Sequence, residues 1–157
     1  MLLNSMVQKF VVTGSNGFIG KNLIEVLKRF HNVEVKGFDI NDSFEDLAKA
    51  LTESDVVFHL AGVNRPNRVE EFEEGNHILT KKLCTALRKS SKIPLIVFTS
   101  SIQVELKIPY GKSKLRAENE LINLSKETGS GVIIFRLKNV FGKWCRPNYN
   151  SVVATFC

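Results

Sequence analysis

An apolar run, Met6 to Val12, enters a tight turn, Thr13-Gly14-Ser15-Asn16-Gly17, and an amphipathic run, Phe18 to Phe30, leaves it. This reads as strand, turn and helix joined without a spacer, the opening of a unit whose next strand lies parallel to the first. Gly14 and Gly17 let the backbone turn tightly and approach a ligand with no side chain in the way, and Gly20 allows close contact between helix and strand. The N–H groups that open the helix at Phe18 and Ile19, with the helix dipole behind them, form an anion site suited to a pyrophosphate. The spacing is G-x-x-G-x-x-G, not the commoner G-x-G-x-x-G. A purely structural turn is the other reading of the same residues.

The rest of the chain repeats the alternation. Val33 to Phe38 reads as a second strand. Ser43 can cap a helix from Phe44 to about Thr52, where Phe44, Leu47, Ala48 and Leu51 share a face. Val56 to Gly62 is a buried-strand run, and Asn64-Arg65-Pro66-Asn67 is loop. A long helix follows, from Val69 or Gly75 to Lys89. Ile93 to Ser100 is the fourth strand, Tyr110 to Lys126 a helix, and Val132 to Leu137 the fifth strand. The tail from Asn139 reads as loop and ends in an apolar run, Val152 to Cys157. Continuously apolar strands alternating with helices give an α/β fold, a doubly wound parallel sheet of five strands in the order 2-1-3-4-5 with helices on both faces. The 157 residues make one domain, large enough for a core.

The net charge of +6 suits an anionic ligand or a lysine-rich surface, and no aromatic-basic clustering points to nucleic acid. Cys84, Cys145 and Cys157 have no metal spacing, so no metal site is expected. With no export signal and no long apolar span, the expected setting is a reducing cytoplasm without membrane attachment. Residues 1 to 5 read as an extension ahead of the first strand.

Tyr110-Gly-Lys-Ser-Lys114 sets a phenol and an ammonium one helical turn apart, on one face. A lysine close to a tyrosine favours the phenolate and so lowers the phenol's pKa. That suits proton transfer near neutral pH. Ser101, just past the fourth strand, can hydrogen-bond the same substrate oxygen. In a parallel sheet, Gly14, Gly62, Ser101 and the start of the Tyr110 helix all fall at the carboxyl edge.

Thr13-Gly14-Ser15-Asn16-Gly17-Phe18-Ile19-Gly20, His59-Leu60-Ala61-Gly62, Thr99-Ser100-Ser101 and Tyr110-x-x-x-Lys114 resemble, in order and context, the extended short-chain dehydrogenase/reductases. These are nucleotide-sugar epimerases, dehydratases and reductases. Leu60-Ala-Gly-Val-Asn-Arg-Pro66, Ser100-Ser-Ile-Gln103 and Phe141-Gly-Lys-Trp-Cys-Arg-Pro-Asn-Tyr-Asn150 look like the reductase domain of bacterial capsular-polysaccharide enzymes of UDP-N-acetyl-L-fucosamine precursor synthesis. The resemblance implies NADPH-dependent reduction of the 4-keto group of a UDP-linked 2-acetamido-2,6-dideoxy sugar for capsule or O-antigen. It also implies a homodimer in the full-length protein.

By the same resemblance Ser101, Tyr110 and Lys114 are the catalytic set. The dinucleotide would meet Gly14, Asn16, Gly17, Phe18, Ile19, Gly20, Asp39, Ile40, Leu60, Ala61, Gly62, Tyr110 and Lys114. The sugar nucleotide would meet Arg65, Asn76, Ser101 and Asn139. Asn139 is also readable as a turn residue, and Arg65 as an exposed loop arginine. Asp39 lies about 20 residues past Gly20, where an acid binds the ribose 2′-hydroxyl of NAD. Yet Gly37-Phe-Asp-Ile-Asn-Asp42 also resembles the family's adenine-side turn after a further strand, so NAD and NADP stay open. Relative to the family pattern, residues 1–157 are expected to lack most of the substrate lobe and the zinc-binding cupin domain that normally follows. The alternatives are a nucleotide-sugar 4-epimerase or 4,6-dehydratase with the same catalytic set, or a non-catalytic dinucleotide-binding module.

Overall fold

The computed structural model describes residues 6–148 and 152–156; the proposed extension at residues 1–5, Tyr149 to Ser151 and Cys157 lie outside them. Five strands, β1 (Gln8–Thr13), β2 (Val33–Phe38), β3 (Val56–His59), β4 (Leu95–Ser101) and β5 (Val132–Leu137), form one sheet in the order β2-β1-β3-β4-β5. Every pairing is parallel: Thr13 sits opposite both Phe38 and His59, and Ser101 opposite Leu137. The carboxyl ends of β1, β3 and β4 therefore share one edge, as the alternation of apolar strands and helices requires.

The helices follow from local chemistry. Helix α1 (Phe18–Leu27) starts at Gly17 with no side-chain cap. Helix α2 (Phe44–Glu53) is capped by Ser43, whose hydroxyl accepts from Glu45 N–H, and Glu45 and Asp46 complement its dipole. Helix α5 (Pro109–Thr128) has Pro109 in its first turn and ends on Gly129 in the left-handed region, φ 73°. The long helix read from Val69 or Gly75 is three pieces: α3 (Glu70–Phe72), a π-helical segment (Glu73–Ile78) and α4 (Leu79–Arg88). The tail read as loop ends in a short helix, α6 (Val152–Phe156).

Side-chain alternation along the strands sends Val11, Val57, Ile96 and Phe98 to one face of the sheet. There they pack with Leu47 and Leu51 of α2, Leu83, Cys84 and Leu87 of α4, and Ala117, Leu121 and Leu124 of α5. The opposite face is less covered than the continuous apolar strands imply. Helix α1 lies against β1 and β2, but Leu95, Ile133 and Phe135 on β4 and β5 are 37 %, 43 % and 51 % exposed. Among the described residues no helix is long and apolar enough to cross a membrane.

Candidate active site

The carboxyl edge of the sheet opens into a cleft of about 630 Å³, lined on one side by Gly14, Asn16, Gly17, Phe18, Ile19 and Gly20 and across from them by Ser101, Tyr110 and Lys114. Residues 60–63, a strap after β3, supply Leu60, Gly62 and Val63, and the segment after β5 supplies Lys138, Asn139, Trp144, Cys145 and Arg146. The ionisable side chains on the wall include Lys21, Lys114, Lys138 and Arg146, with no carboxylate among the described lining residues. That field suits ligands with two or more negative charges.

The glycine turn fits a dinucleotide. Gly14 carries the positive φ, 69°, and a Cβ there would lie 2.7 Å from Ala61 N. Gly17 has φ −71°, so its share of the turn is extended backbone at the helix start, open to the cleft. A Cβ on Gly20 would lie 2.2 Å from Gly14 O, which is the close packing of helix on turn that the spacing implies. With no side-chain cap on α1, its first N–H groups are left for an anion.

Asp39 directly follows β2, the strand that pairs with β1. Its carboxylate accepts from Asn16 N–H at 2.7 Å and Ile40 N–H at 2.8 Å, and Asp42 accepts from Asp39 N–H at 2.6 Å. No further strand therefore stands between β1 and the strand that Asp39 follows. Ile40 is 91 % exposed beside it. Asp39, Ile40 and Ala61 border the cleft without being part of its wall.

On the side of Ser101 and Tyr110, Lys114 is buried; its ammonium donates to Thr99 O at 3.1 Å and stands 4.9 Å from the Phe98 ring centre. Burial pulls its pKa down to about 8, against a smaller opposing pull from Glu118. Glu118 is itself buried and gripped by the Arg136 fork at 2.8 and 3.1 Å. The expected lowering of the Tyr110 pKa is not what this arrangement produces: burial raises it, and only Ser101 pulls it partly back. The physical reason is direction, because the lysine points to Thr99 O. Tyr110 also packs against Phe72, ring centres 5.6 Å apart.

Two candidate substrate residues lie off the cleft wall. Asn76 is buried behind the strap: its amide donates to Val63 O and Ser113 Oγ and its carbonyl accepts from Val63 N–H. It braces the wall and does not face the cleft, since every polar atom it owns is engaged inside. Arg65 is exposed and donates to Asn148 O at 3.1 Å, outside the cleft wall. Asn139 lies on the wall. The segment after β5 is fastened to α1 by Asn22, which donates to Lys143 O at 2.8 Å. Motif reading passed over His59, Thr80, Ser113 and the Glu118–Arg136 pair; His59 was in plain view in His59-Leu-Ala-Gly62, but a strand pattern does not reveal a buried polar partner.

Comparison with known proteins agrees with this geometry. Over 149 residues the chain is 50% identical to a UDP-2-acetamido-2,6-beta-L-arabino-hexul-4-ose reductase of Pseudomonas aeruginosa, covering 95% of this chain and 40% of that enzyme. The crystal structure of the capsular polysaccharide assembling protein CapF from Staphylococcus aureus superposes with a TM-score of 0.82 at 43% identity, over 94% of this chain and 40% of that one. A UDP-glucose 4-epimerase of Vibrio cholerae is 27% identical, over 94% of this chain and 56% of its own length. The chain thus spans well under two thirds of these relatives. The model of the NAD dependent epimerase/dehydratase family matches residues 10–156, and the chain belongs to that family.

Proposed function

We propose that the chain carries the dinucleotide site and the proton-transfer residues for reduction of the 4-keto group of a UDP-linked 2-acetamido-2,6-dideoxy sugar, in the synthesis of capsular polysaccharide or O-antigen. The observation that carries the reading is the cleft, which sets an uncapped helix start and a glycine turn opposite Ser101, Tyr110 and Lys114 within a wall whose charges are cationic. Two diphosphates, one from the cofactor and one from the sugar nucleotide, suit such a wall. The 50% identity to the Pseudomonas reductase supports the substrate class.

The bound dihydronicotinamide would supply the hydride. Tyr110 gives its phenolic proton to the C4 oxygen, and burial favours this direction because a raised pKa keeps the phenol protonated at neutral pH. Ser101 donates a hydrogen bond to the same oxygen. By the family resemblance Lys114 holds the nicotinamide ribose, its ammonium being turned to Thr99 O and not to the phenol. Between the two cofactors, the family resemblance implies NADPH. The carboxylates of Asp39 and Asp42 at the end of β2 oppose a 2′-phosphate and leave lone pairs for a ribose hydroxyl. NADH is the cofactor the chemistry of that edge favours.

The test is a chimera in which this chain replaces the matching part of the Pseudomonas reductase, assayed with a UDP-4-keto sugar and each cofactor. Substrate-dependent oxidation of NADH in preference to NADPH is the expected result. A folded chimera that binds dinucleotide but does not turn over would overturn the catalytic reading, and a preference for NADPH would overturn the role given to Asp39.

A further inference from the structure

Behind the strap, a neutral His59 leaves a buried chain of side chains only one consistent arrangement of protons. Thr80 Oγ1 lies 2.6 Å from Asn76 O, and because a carbonyl only accepts, the threonine spends its single hydrogen there. His59 Nε2, 2.9 Å from Thr80 Oγ1, must then carry a hydrogen and donate it. The other nitrogen of a neutral imidazole accepts. Thr13 Oγ1, 2.8 Å from Nδ1, therefore donates to His59, while accepting from Ala61 N–H at 3.2 Å. His59 is 1 % exposed, with its ring stacked on Phe98 at 5.4 Å. Burial, and secondarily the nearby Lys114 charge, pushes its pKa down to about 3, which keeps the ring neutral.

Both ends of this chain hold the strap. At one end Thr13 holds Ala61. At the other Asn76 grips Val63 through both of its backbone groups, at 2.9 and 3.0 Å. Asn76 also donates to Ser113 Oγ at 3.0 Å, and Ser113 donates to Tyr110 O at 2.8 Å, in the first turn of α5. The unbroken path thus runs from the end of β1, through His59 and Thr80, to the helix that carries Tyr110 and Lys114.

We propose that His59 and Thr80 are positioning residues: as one hydrogen-bonded unit they set the strap 60–63 against the start of α5 and so fix the shape of the cleft that receives the dinucleotide. This rests on the dinucleotide reading given above. A histidine that only fills the core would cost stability when its partner is lost but would leave ligand affinity alone.

The experiment compares Thr80→Val, which keeps the shape and removes the hydroxyl, with Thr80→Ser, which restores it. Leu124→Ala, a core truncation near the far end of α5, is the stability control. NADH affinity is read by titration and folding by thermal melt. Thr80→Val should weaken NADH binding about tenfold, the scale of one buried hydrogen bond left unmet. Thr80→Ser should stay within about twofold, and Leu124→Ala should lower the melting temperature without moving the affinity. Nitrogen-15 NMR of the parent should show His59 as the Nε2–H tautomer, and Thr80→Val should shift the amides of Val63 and Ser113. Should Thr80→Val not fold, Thr13→Val cuts the path at its other end and must show the same loss. Unchanged affinity in a folded Thr80→Val or Thr13→Val, equal weakening by Leu124→Ala, or an Nδ1–H tautomer would each overturn the proposal. A parent that binds neither NADH nor NADPH would sink the cofactor reading instead, and the tautomer and the amide shifts would still decide the relay.

Discussion

Replacing Lys114 with methionine should make the fold more stable at pH 7 while weakening dinucleotide binding. The lysine is 5 % exposed and has one hydrogen bond, to Thr99 O, and the face of Phe98 for company. The drop from 10.5 to about 8 in its pKa corresponds to about 3 kcal/mol of penalty on the charged form. Methionine removes that penalty and gives up about 1 kcal/mol for the lost hydrogen bond, a net gain of about 2 kcal/mol. In a chain of this size that raises the melting temperature by roughly 4–8 °C. The pH dependence has a fixed sign. Because the folded pKa lies below the unfolded one, the penalty is fully present below about pH 8, shrinks as pH rises, and is gone above 10.5. Cys84 works the other way, since burial pushes its thiol from 9.0 up to about 12 and costs stability as pH climbs past the unfolded value. It titrates in both proteins, so the gap between variant and parent isolates the lysine. Urea melts from pH 6 to 10.5 measure that gap. A methionine variant less stable than the parent at pH 7, or a gap that does not narrow above pH 8, would refute the reasoning.

Gly14→Ala should lose both stability and dinucleotide binding, because φ of 69° costs an L-residue about 1–2 kcal/mol and the new Cβ meets Ala61 N at 2.7 Å; calorimetric titration showing parental affinity would contradict this. Tyr110→Phe, in the chimera described above, should lower turnover by about 10² to 10⁴ while cofactor affinity stays within a few-fold, and retention of more than about a tenth of the activity would rule out its acid role. The apolar face at Leu95, Ile133 and Phe135 should drive self-association, so Ile133→Lys with Phe135→Glu should shift sedimentation toward monomer; a parent that is already monomeric at high concentration would show the face to be harmless.

The sheet order and the bounds of β2 and β5 were legible because apolar runs and turn residues alternate cleanly along the chain. The cleft was legible for a related reason: a parallel sheet with glycine, serine and tyrosine at successive strand ends leaves one edge for them all. What escaped was direction and register. Nothing in Tyr110-x-x-x-Lys114 says that the lysine turns inward to Thr99 O, so the sign of the tyrosine shift came out reversed. The π-helical segment Glu73–Ile78 shares the apolar spacing of its neighbours, and only its hydrogen-bond register sets it apart. The positive φ belongs to Gly14 and not to Gly17, a choice that either glycine could have filled. His59 looked like one more residue of a strand, although Thr13 and Thr80, far off in sequence, are what make its burial tolerable.

Strand β1 sits between β2 and β3, and β4 and β5 add outward from there. In kinetic terms the sheet has a heartwood and a bark. Amides of β1, β3 and β4, paired on both sides, should exchange with solvent most slowly, and those of the edge strands β2 and β5 sooner. The glycine turn grows out of β1, while the wall from Lys138 to Arg146 grows out of β5. The two sides of the cleft are thus rooted at different depths, with the Asn22 bond to Lys143 O joining them. Hydrogen exchange should therefore find the amides of the wall exchanging before those of the glycine turn.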